Sequence, residues 1–561
     1  MVSVLLLYVL AASVVPTFTP APVGDDWVYS RSVEMLVREG RLQILDLSVV
    51  TLVFQIAWGT LFSLIFGLSF GAMRLSTVVL TFLSGIAFYA LCRELAVDRI
   101  RSALGTMVYL FNPLAFVLGF TFMTDPQFSA LLVGSTLFYL RGLRPDRPSH
   151  GATIAGSVLA ACASLVRQQG VLIPLAVVSY LLITGRLGRD RDGVRRFVEV
   201  VAIPVVATLL YYAWLFFAHG IPEQQDAFLR QILEAGWSGS WQLIRYLTYI
   251  EAVYLGFILL PITFGALTGL WQLVSMRGWW RWNFVAAWAA MLGIGMIAFA
   301  LGPAHFGPLK MPYISQFVGV HGLGPNDLWG GRPWLVGNGA VVRDALTWVS
   351  AASSLIVALA VARKLGVPAS PTGAGAGLCA TIGFWQVVGV LPPSYHFRTW
   401  IISVDRYLLP LLPFAVLIVL WSLRGVRVSM AMAWAAIAAV GLFSTVATRD
   451  FLVFQGETWE LARYANEKVG IPLMKLDAGA SWDGYHLYEF SQATDIPPRT
   501  HGGPWWTDLF APATDSTFVI SSSSTVPEGY RTIAWTEYSS WLNTRPVYLF
   551  LLQRMETAPP D

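Results

Sequence analysis

The chain has 561 residues, of which 56% are hydrophobic and 12% are charged. A soluble globular protein is typically about 25% charged, so this composition excludes an ordinary cytosolic enzyme, a disordered protein and a nucleic-acid-binding protein. The formal net charge of +4, from 37 basic and 33 acidic residues, is too small to indicate a polyanionic partner. The composition indicates a polytopic membrane protein.

Apolar runs long enough to form membrane helices follow one another along most of the chain. A bilayer core about 30 Å thick requires roughly 20 apolar residues per helix. Runs approaching this length lie at residues 2–19, 48–71, 75–92, 102–121, 127–140, 152–166, 169–185, 197–218, 246–273, 283–302, 344–362, 374–392, 406–423 and 428–447. The three cysteines lie inside such runs, which is typical of small buried hydrophobic residues rather than of disulfides or metal ligands.

The basic residues predict which of these runs cross the membrane. Cytoplasmic loops carry an excess of Lys and Arg, and six short basic loops lie at 93–101, 141–147, 186–196, 277–281, 363–364 and 424–427. All six basic loops lie on the same side of the membrane only if residues 48–71 do not cross it. We therefore expect an all-α membrane protein with about 13 transmembrane helices, a cytoplasmic N-terminus and an extracytoplasmic C-terminus.

Residues 48–71 are then expected to form a re-entrant or interfacial pair of helices, with breaks at Gly59 and Gly67. The first run, 2–19, is short enough to be a cleaved signal peptide, but it lacks a basic segment before it. An uncleaved first helix is therefore the favoured interpretation.

The chain divides by composition into two predicted domains. Residues 1–447 form a transmembrane domain whose first outer loop spans 20–74. Residues 448–561 form a small soluble α/β domain outside the membrane, because this tail is rich in acidic and aromatic residues and has no 20-residue apolar run. We expect a helix at 456–469 and strands at 516–521 and 546–552 in this tail.

Two adjacent carboxylates, Asp25 and Asp26, follow the first apolar run, with Tyr29 nearby. Carboxylates at a membrane surface are costly to desolvate and commonly have a function. The alternative is structural, since either aspartate is a suitable N-cap for a helix beginning here.

A third carboxylate, Asp125, lies in the sequence Thr124-Asp125-Pro126 and falls on the same predicted outer face. Its alternative interpretation is a helix start, with Pro126 at the first helical position. The shared face of Asp125 and the first pair favours a functional role for all three, and we predict them as catalytic residues.

Cations reach the same face from two segments. Arg167 lies between two apolar runs, and Arg398 and Arg406 lie in the segment 395–407. Each is suited to bind a lipid-linked phosphate through its planar fork of donors. The alternatives are that Arg167 extends to lipid headgroups and that Asp405 neutralises Arg406.

Three further residues complete the predicted site. Tyr29, His396 and Tyr407 are candidates for substrate binding. No pair of histidines has metal-ligand spacing on a helix, so no cofactor is indicated with certainty and a divalent cation stays open.

This combination of residues suits group transfer from a lipid-phosphate donor. A carboxylate acts as general base on an acceptor, and the cations stabilise the leaving phosphate. The chain lacks phosphate-binding glycine-rich nucleotide motifs, which favours a lipid-carried donor.

The pattern resembles the GT-C superfamily of membrane glycosyltransferases, in particular the branch of protein O-mannosyltransferases and the lipid A aminoarabinose transferase. The resemblance depends on the order and common face of several short motifs. They are Asp25-Asp26 with Tyr29, Arg38-Glu39-Gly40, Ile65 to Gly67, Thr124-Asp125-Pro126, Arg167 before Gly170, and Arg406-Tyr407.

The resemblance implies that Asp25 is the base of an inverting transfer from a polyprenyl-phosphate sugar, and that Asp125 supports the active site or the acceptor. The family often has a Pro pair or a basic residue where this chain has Ser48-Val49-Val50-Thr51. The residue that holds the donor phosphate therefore stays open between Arg167 and Arg406.

The expected partners are a polyprenyl-phosphate sugar donor, a lipid, glycan or protein acceptor, and membrane lipids. Two other functional classes remain open. A transporter or flippase of lipid-linked sugars would require ionisable residues along mid-membrane helices and a repeated half. A non-catalytic surface receptor would leave Asp25 and Asp125 replaceable.

Overall fold

The computed structural model describes residues 1–301, 310–333, 335, 340–366, 371–395, 404–494 and 504–555. In these ranges most of the chain is helical. The helices are α1 (Val2–Val14), α2 (Asp26–Glu39), α3 (Val53–Phe66), α4 (Phe70–Glu94), α5 (Arg99–Phe111), α6 (Pro113–Gly119), α7 (Thr124–Gly142), α8 (His150–Ser164), α9 (Leu172–Ile183), α10 (Arg191–Trp214), α11 (Glu223–Ile258), α12 (Leu260–Ala266), α13 (Leu270–Val274), α14 (Trp279–Leu301), α15 (Ala340–Lys364), α16 (Pro371–Tyr395), α17 (Leu412–Ser422), α18 (Met430–Glu467), α19 (Ala480–Ala493) and α20 (Trp505–Leu509). The strands are β1 (Val318–Gly319), β2 (Gly322–Leu323), β3 (Leu476–Asp477), β4 (Phe518–Ser521), β5 (Tyr530–Tyr538) and β6 (Val547–Arg554).

Within the described residues, six helices are long and apolar enough to cross a membrane, or up to eight if two bent pairs each count as one span. The predicted count of 13 is therefore not confirmed. One reason is that some apolar runs are broken, as at Asn112, where α5 and α6 meet at 61°. Other runs form helices shorter than a bilayer, such as the 11 residues of α17.

Residues 48–71 contain one helix, α3, rather than the predicted pair. The helix ends at Phe66 and is followed by Gly67, whose φ of +85° is easily reached by glycine. Gly59 lies inside α3 and is not a break; a Cβ there would lie 2.5 Å from the ring of Phe122. With 14 residues, α3 is about 21 Å long at 1.5 Å per residue, too short to span the hydrocarbon core.

The long helix α18 joins the predicted membrane and soluble domains without a break. Its 38 residues correspond to a length of about 57 Å, nearly twice the hydrocarbon thickness of a bilayer. The helix expected at 456–469 is therefore the end of α18, and the predicted boundary at 447 falls inside a continuous helix. The aromatic side chain of Trp459 near its end packs into a second apolar core against the C-terminal sheet.

The C-terminal sheet has the strand order β3-β4-β6-β5. Strands β3 and β4 are parallel, and the other two pairs are antiparallel. Strands β4 and β6 confirm the strands predicted at 516–521 and 546–552. Strand β5 was missed because its residues are mostly exposed and give no apolar run.

The first outer loop is packed against the C-terminal region through α2. The ring of Trp27 lies 5.6 Å from that of Tyr488 and 5.4 Å from that of Phe510. Arg31 adds an ion pair with Glu489 at 3.1 Å. Helix α2 is therefore held from outside the membrane domain, which positions the residues at its N-terminus.

Arg74 fixes the chain that leads into α2. Its side chain is fully buried in α4 and donates hydrogen bonds to the carbonyl oxygens of Thr17, Thr19 and Ala21 at 2.7–3.3 Å. These carbonyl groups lie in irregular chain and have no helical donor. One guanidinium group therefore replaces the missing backbone hydrogen bonds between α1 and α2.

We expect Arg74→Met to lower the free energy of unfolding by about 3 kcal/mol or more, because each buried acceptor left without a donor costs about 1–3 kcal/mol. Thermal unfolding of the purified protein in detergent measures this effect. Arg189→Met, at an exposed position, is the control, and equal midpoints for the two variants would contradict the role assigned to Arg74.

Candidate active site

Four charged side chains from separate parts of the sequence meet at one place. Asp25 is the residue before α2, and Asp125 lies in the first turn of α7. Arg167 precedes a 3-10 turn at Gln168–Val171, and Arg406 lies within a second one at Asp405–Leu408. All four sequence predictions are therefore brought into one cluster.

The four side chains alternate in charge. Arg406 Nη1 lies 2.8 Å from Asp25 Oδ2, and Arg406 Nε lies 4.0 Å from Asp125 Oδ2. On the other side, Arg167 Nη1 binds Asp125 Oδ1 and donates to Thr124 Oγ1 at 3.2 Å. The order along the cluster is Asp25, Arg406, Asp125, Arg167, and the formal charge of the four is zero.

Tyr407 lies between the two arginines. The guanidinium carbon of Arg167 is 5.4 Å from the centre of the Tyr407 ring, and that of Arg406 is 5.5 Å from it. Such distances fit cation–π contacts, which hold each cation in place. Tyr29 is buried beside the cluster. Burial is the main cause that raises the pKa of the Tyr29 hydroxyl, and the negative charge of Asp25 raises it further.

The four charged side chains differ in their exposure to solvent. The Asp25 side chain is 32% exposed, whereas that of Asp125 is 1% exposed. The side chains of Arg406 and Arg167 are 11% and 7% exposed. Arg167 is therefore not a residue that extends to lipid headgroups, and Asp25 is the carboxylate of this cluster that an incoming molecule can reach.

Asp26 takes no part in the ion pairs of the cluster. Its carboxylate is buried, accepts a hydrogen bond from the Val23 N–H at 3.3 Å and is attracted by Arg74. Burial raises the pKa of Asp26 to about 7. Neither aspartate caps the helix through its side chain: Asp25 occupies the N-cap position, but its side chain accepts no capping hydrogen bond.

Asp405 does not neutralise Arg406, contrary to the structural alternative. Its carboxylate accepts hydrogen bonds from the N–H groups of Gln316, Phe317 and Val318 at 2.7–3.2 Å. Burial raises the pKa of Asp405 to about 6, although these hydrogen bonds oppose the rise. The residue therefore ties the loop 310–333 to the turn that carries Arg406.

Residues 48–51, where the chain departs from the family pattern, support the cluster through hydrogen bonds. Thr51 Oγ1 donates to the Ser164 carbonyl at 2.8 Å, and Gln168 Nε2 donates to the Val49 carbonyl at 2.7 Å. These contacts hold the turn on either side of Arg167. Neutral side chains thus position the cation from a segment where the family often has a basic residue.

Sequence reasoning missed Asp327, a half-buried carboxylate of the loop 310–333. Burial, and then repulsion from Asp25, raise the pKa of Asp327 to about 7. Its sequence surroundings are those of an ordinary polar loop, so no signal marked it. Two other predicted residues, His396 and Arg398, lie outside the described residues.

No group of three His, Cys, Asp or Glu side chains suited to hold a metal ion occurs in the part of the chain that the structure describes. The divalent cation left open by the sequence is therefore not placed by these residues.

The buried Asp125–Arg167 pair predicts strong energetic coupling. Asp125→Asn leaves the buried Arg167 without its carboxylate, which costs about 3–5 kcal/mol, and Arg167→Gln leaves Asp125 with only the more distant Arg406. The loss in free energy of unfolding for the double variant is expected to be smaller than the sum of the two single losses, by about 1 kcal/mol or more. Arg31→Gln with Glu489→Gln, an ion pair with side chains 28% and 51% exposed, is the matched control cycle. Equal coupling in the two cycles would argue against a buried pair.

The raised pKa of Asp26 predicts that Asp26→Asn stabilises the folded protein, relative to wild type, more at high pH than at low pH. Between an unfolded pKa near 4 and a folded pKa of about 7, the folded wild type retains a proton that the unfolded chain has lost. Wild-type stability therefore falls as pH rises through this window, whereas the neutral asparagine has no such loss. We expect the unfolding midpoint of the variant, relative to wild type, to be higher at pH 8 than at pH 5. A constant difference would contradict the raised pKa.

Comparison with known proteins gives one family match. Residues 54–214 match the family model described as dolichyl-phosphate-mannose-protein mannosyltransferase. Asp125 and Arg167 lie inside the matched residues, and Asp25 and Arg406 lie outside them. A search of the curated proteins gives no significant match.

Solved structures give distant similarities. ArnT from Cupriavidus metallidurans bound to undecaprenyl phosphate is 15% identical, with 97% of both chains covered and a TM-score of 0.40. The archaeal oligosaccharyltransferase AglB from Archaeoglobus fulgidus, in complex with an inhibitory peptide and a dolichol-phosphate, is 12% identical with a TM-score of 0.40. That match covers 83% of this chain and 58% of AglB, so this chain spans little more than half of it.

The family match over residues 54–214 confirms the resemblance predicted from the sequence. The match covers less than a third of the chain, so residues 54–214 are similar to a mannosyltransferase family, within a chain that has several helices long and apolar enough to cross a membrane.

Proposed function

We propose that the chain transfers a sugar from a polyprenyl-phosphate-linked donor to a hydroxyl or amine group of a lipid, glycan or protein at the outer face of the membrane. The observation that carries this proposal is the accessible carboxylate of Asp25 beside two buried guanidinium groups. A base and a phosphate-binding pair of cations are the two parts that such a transfer requires.

The two arginines are suited to bind the donor phosphate. Arg406 uses Nη1 for Asp25, and its buried Nε has no hydrogen-bond partner. Arg167 uses Nη1 for Asp125 and Thr124. A guanidinium group has five N–H donors in a planar fork, so both retain donors for phosphate oxygens.

In the proposed reaction, the Asp25 carboxylate removes the proton from the acceptor as the acceptor atom bonds to the anomeric carbon of the sugar. The bond between this carbon and the phosphate oxygen breaks, and the phosphate leaves with the electron pair. Arg406 and Arg167 stabilise the added negative charge. Attack from the face opposite the phosphate inverts the configuration of the anomeric carbon.

Asp125 has a different proposed role from Asp25. Because Asp125 is buried and pairs with Arg167, it holds the cations in position rather than touching the acceptor. Asp26, directed toward Arg74, is proposed to support the first outer loop. We assign Tyr29 and Tyr407 to the wall of the substrate site, and His396 and Arg398 remain predictions for donor or acceptor binding.

The outer location is supported by the polarity of α7. Asp125 lies in its first turn, and Arg141 of a predicted cytoplasmic loop lies in its last turn. A helix of 19 residues is about 28 Å long, close to the thickness of the hydrocarbon core. The cluster and the basic loop therefore lie at opposite ends of α7, which supports a placement at opposite membrane surfaces.

We expect Asp25→Asn to lower sugar transfer by at least about 100-fold, because general-base catalysis typically contributes about 10²–10⁴. The assay uses purified protein with a panel of synthetic polyprenyl-phosphate sugars, and product release is measured by chromatography. Glu39→Gln, an exposed carboxylate on the same helix with a side chain 54% exposed, is the matched control and should keep wild-type activity.

Other results of this assay would change the assignment. Full activity of Asp25→Asn with a large loss in Asp26→Asn would move the base to Asp26. Absence of transfer with every donor, for a protein that unfolds cooperatively, would favour the transporter. Retained configuration in the product would contradict single-step displacement.

A further inference from the structure

A cavity of about 510 Å³ at a set of helix ends away from the ion-pair cluster is lined by four cations. They are Arg277, between α13 and α14, Arg281, in the first turn of α14, and Arg363 and Lys364, at the end of α15. None of the described residues that line this cavity, which we call the basic cavity, is acidic. Its volume lies in the range of ligand-binding sites.

Three loops that the sequence predicts to be cytoplasmic converge at the basic cavity. Arg363 Nη1 donates to the Arg424 carbonyl at 3.4 Å, and the Arg427 N–H donates to Gln272 Oε1 at 2.7 Å. Lys364 Nζ lies 5.5 Å from the centre of the Trp421 ring. The tertiary structure therefore brings together cations that are up to 87 residues apart in the sequence.

The charge of the basic cavity is not neutralised by the described protein. Arginines of another predicted cytoplasmic loop have a partner, since Glu94 pairs with Arg141 and Arg144 at 2.8 and 2.6 Å. In the parts of the chain that the structure describes, no such ion pair involves a cation of the basic cavity, and the buried Nε of Arg281 has no hydrogen-bond partner. Cations gathered without carboxylates repel one another, and a bound anion would relieve this repulsion.

Aromatic side chains place the basic cavity at the membrane boundary. Trp271, which lines it, is 81% exposed, and Trp279 is 76% exposed. The candidate span of α14 begins at Trp279, and that of α15 ends at Lys364. Exposed tryptophans at the ends of membrane helices are typical of the headgroup region.

We propose that the basic cavity binds the phosphate headgroup of an anionic phospholipid of the cytoplasmic leaflet. The cations face the phosphate, and the exposed tryptophans lie beside the glycerol and the start of the acyl chains. Basic pockets between membrane helices on this side commonly recognise such headgroups. The chemistry recognised is a phosphodiester, and the acyl chains distinguish a lipid from free phosphate.

The test measures binding of phosphatidylglycerol labelled on its acyl chain to the full chain in neutral detergent micelles. Each surface cation contributes about fivefold to the attraction of an anionic lipid, so Arg277→Gln with Arg281→Gln is expected to weaken binding about 30-fold. Arg363→Gln with Lys364→Gln is the second variant. Arg189→Gln with Arg191→Gln, two exposed cations of another predicted cytoplasmic loop, is the control and should bind as wild type does.

Three results would overturn the proposal. They are equal binding by wild type and both cavity variants, equal affinity for phosphatidylcholine, and displacement of the labelled lipid by inorganic phosphate as readily as by unlabelled phosphatidylglycerol. Unfolding midpoints in detergent without anionic lipid show whether a variant is folded. If the first variant fails this control, the second decides the outcome. Because the test contains no sugar donor, its result does not depend on the proposed transferase activity.

Discussion

The interaction between buried Asp125 and Arg167 organises the rest of the site. Two charges removed from water are stable only as a closely paired set, and this pair joins the start of α7 to the turn after α8. Arg406 then adds a second cation beside Asp125, and Asp25 completes the alternation at the accessible end. Any movement of α7 away from Arg167 would leave uncompensated charge inside the protein.

Aspartates close in sequence or in space have different surroundings here and therefore different properties. Asp25 is partly exposed and paired with a cation, whereas its neighbour Asp26 is buried with a pKa raised to about 7. Asp405 holds a loop through backbone N–H groups. Burial and partners, rather than residue type, decide which carboxylate is available as a base at neutral pH.

The loops outside the predicted membrane spans form a second layer that keeps the site in place. Helix α2 packs on the C-terminal aromatic residues, and Arg74 holds the chain before it. Helix α18 carries the C-terminal sheet directly on a membrane span. These contacts limit the movement of Asp25 relative to the cations, and the proposed transfer requires such positioning.

The sequence by itself determined the membrane class, strands β4 and β6, and the four charged residues of the site. Long apolar runs dictate membrane helices, and ionisable residues are rare enough among them that Asp25, Asp125, Arg167 and Arg406 stood out. Each of these signals is local, so it can be detected without knowing which segments are neighbours in space.

The tertiary structure decided which side chains pair and which helices are continuous. Three aspartates interact with partners that are distant in the sequence. Asp26 interacts with Arg74, Asp405 with the N–H groups of a loop, and Asp327 with Asp25. The continuity of α18 through residue 447, and the bend between α5 and α6, depend on packing and backbone hydrogen bonds rather than on composition. An apolar run indicates that a segment avoids water. The length of the helix that it forms, the breaks in that helix and its contacts depend on the neighbouring segments in the fold.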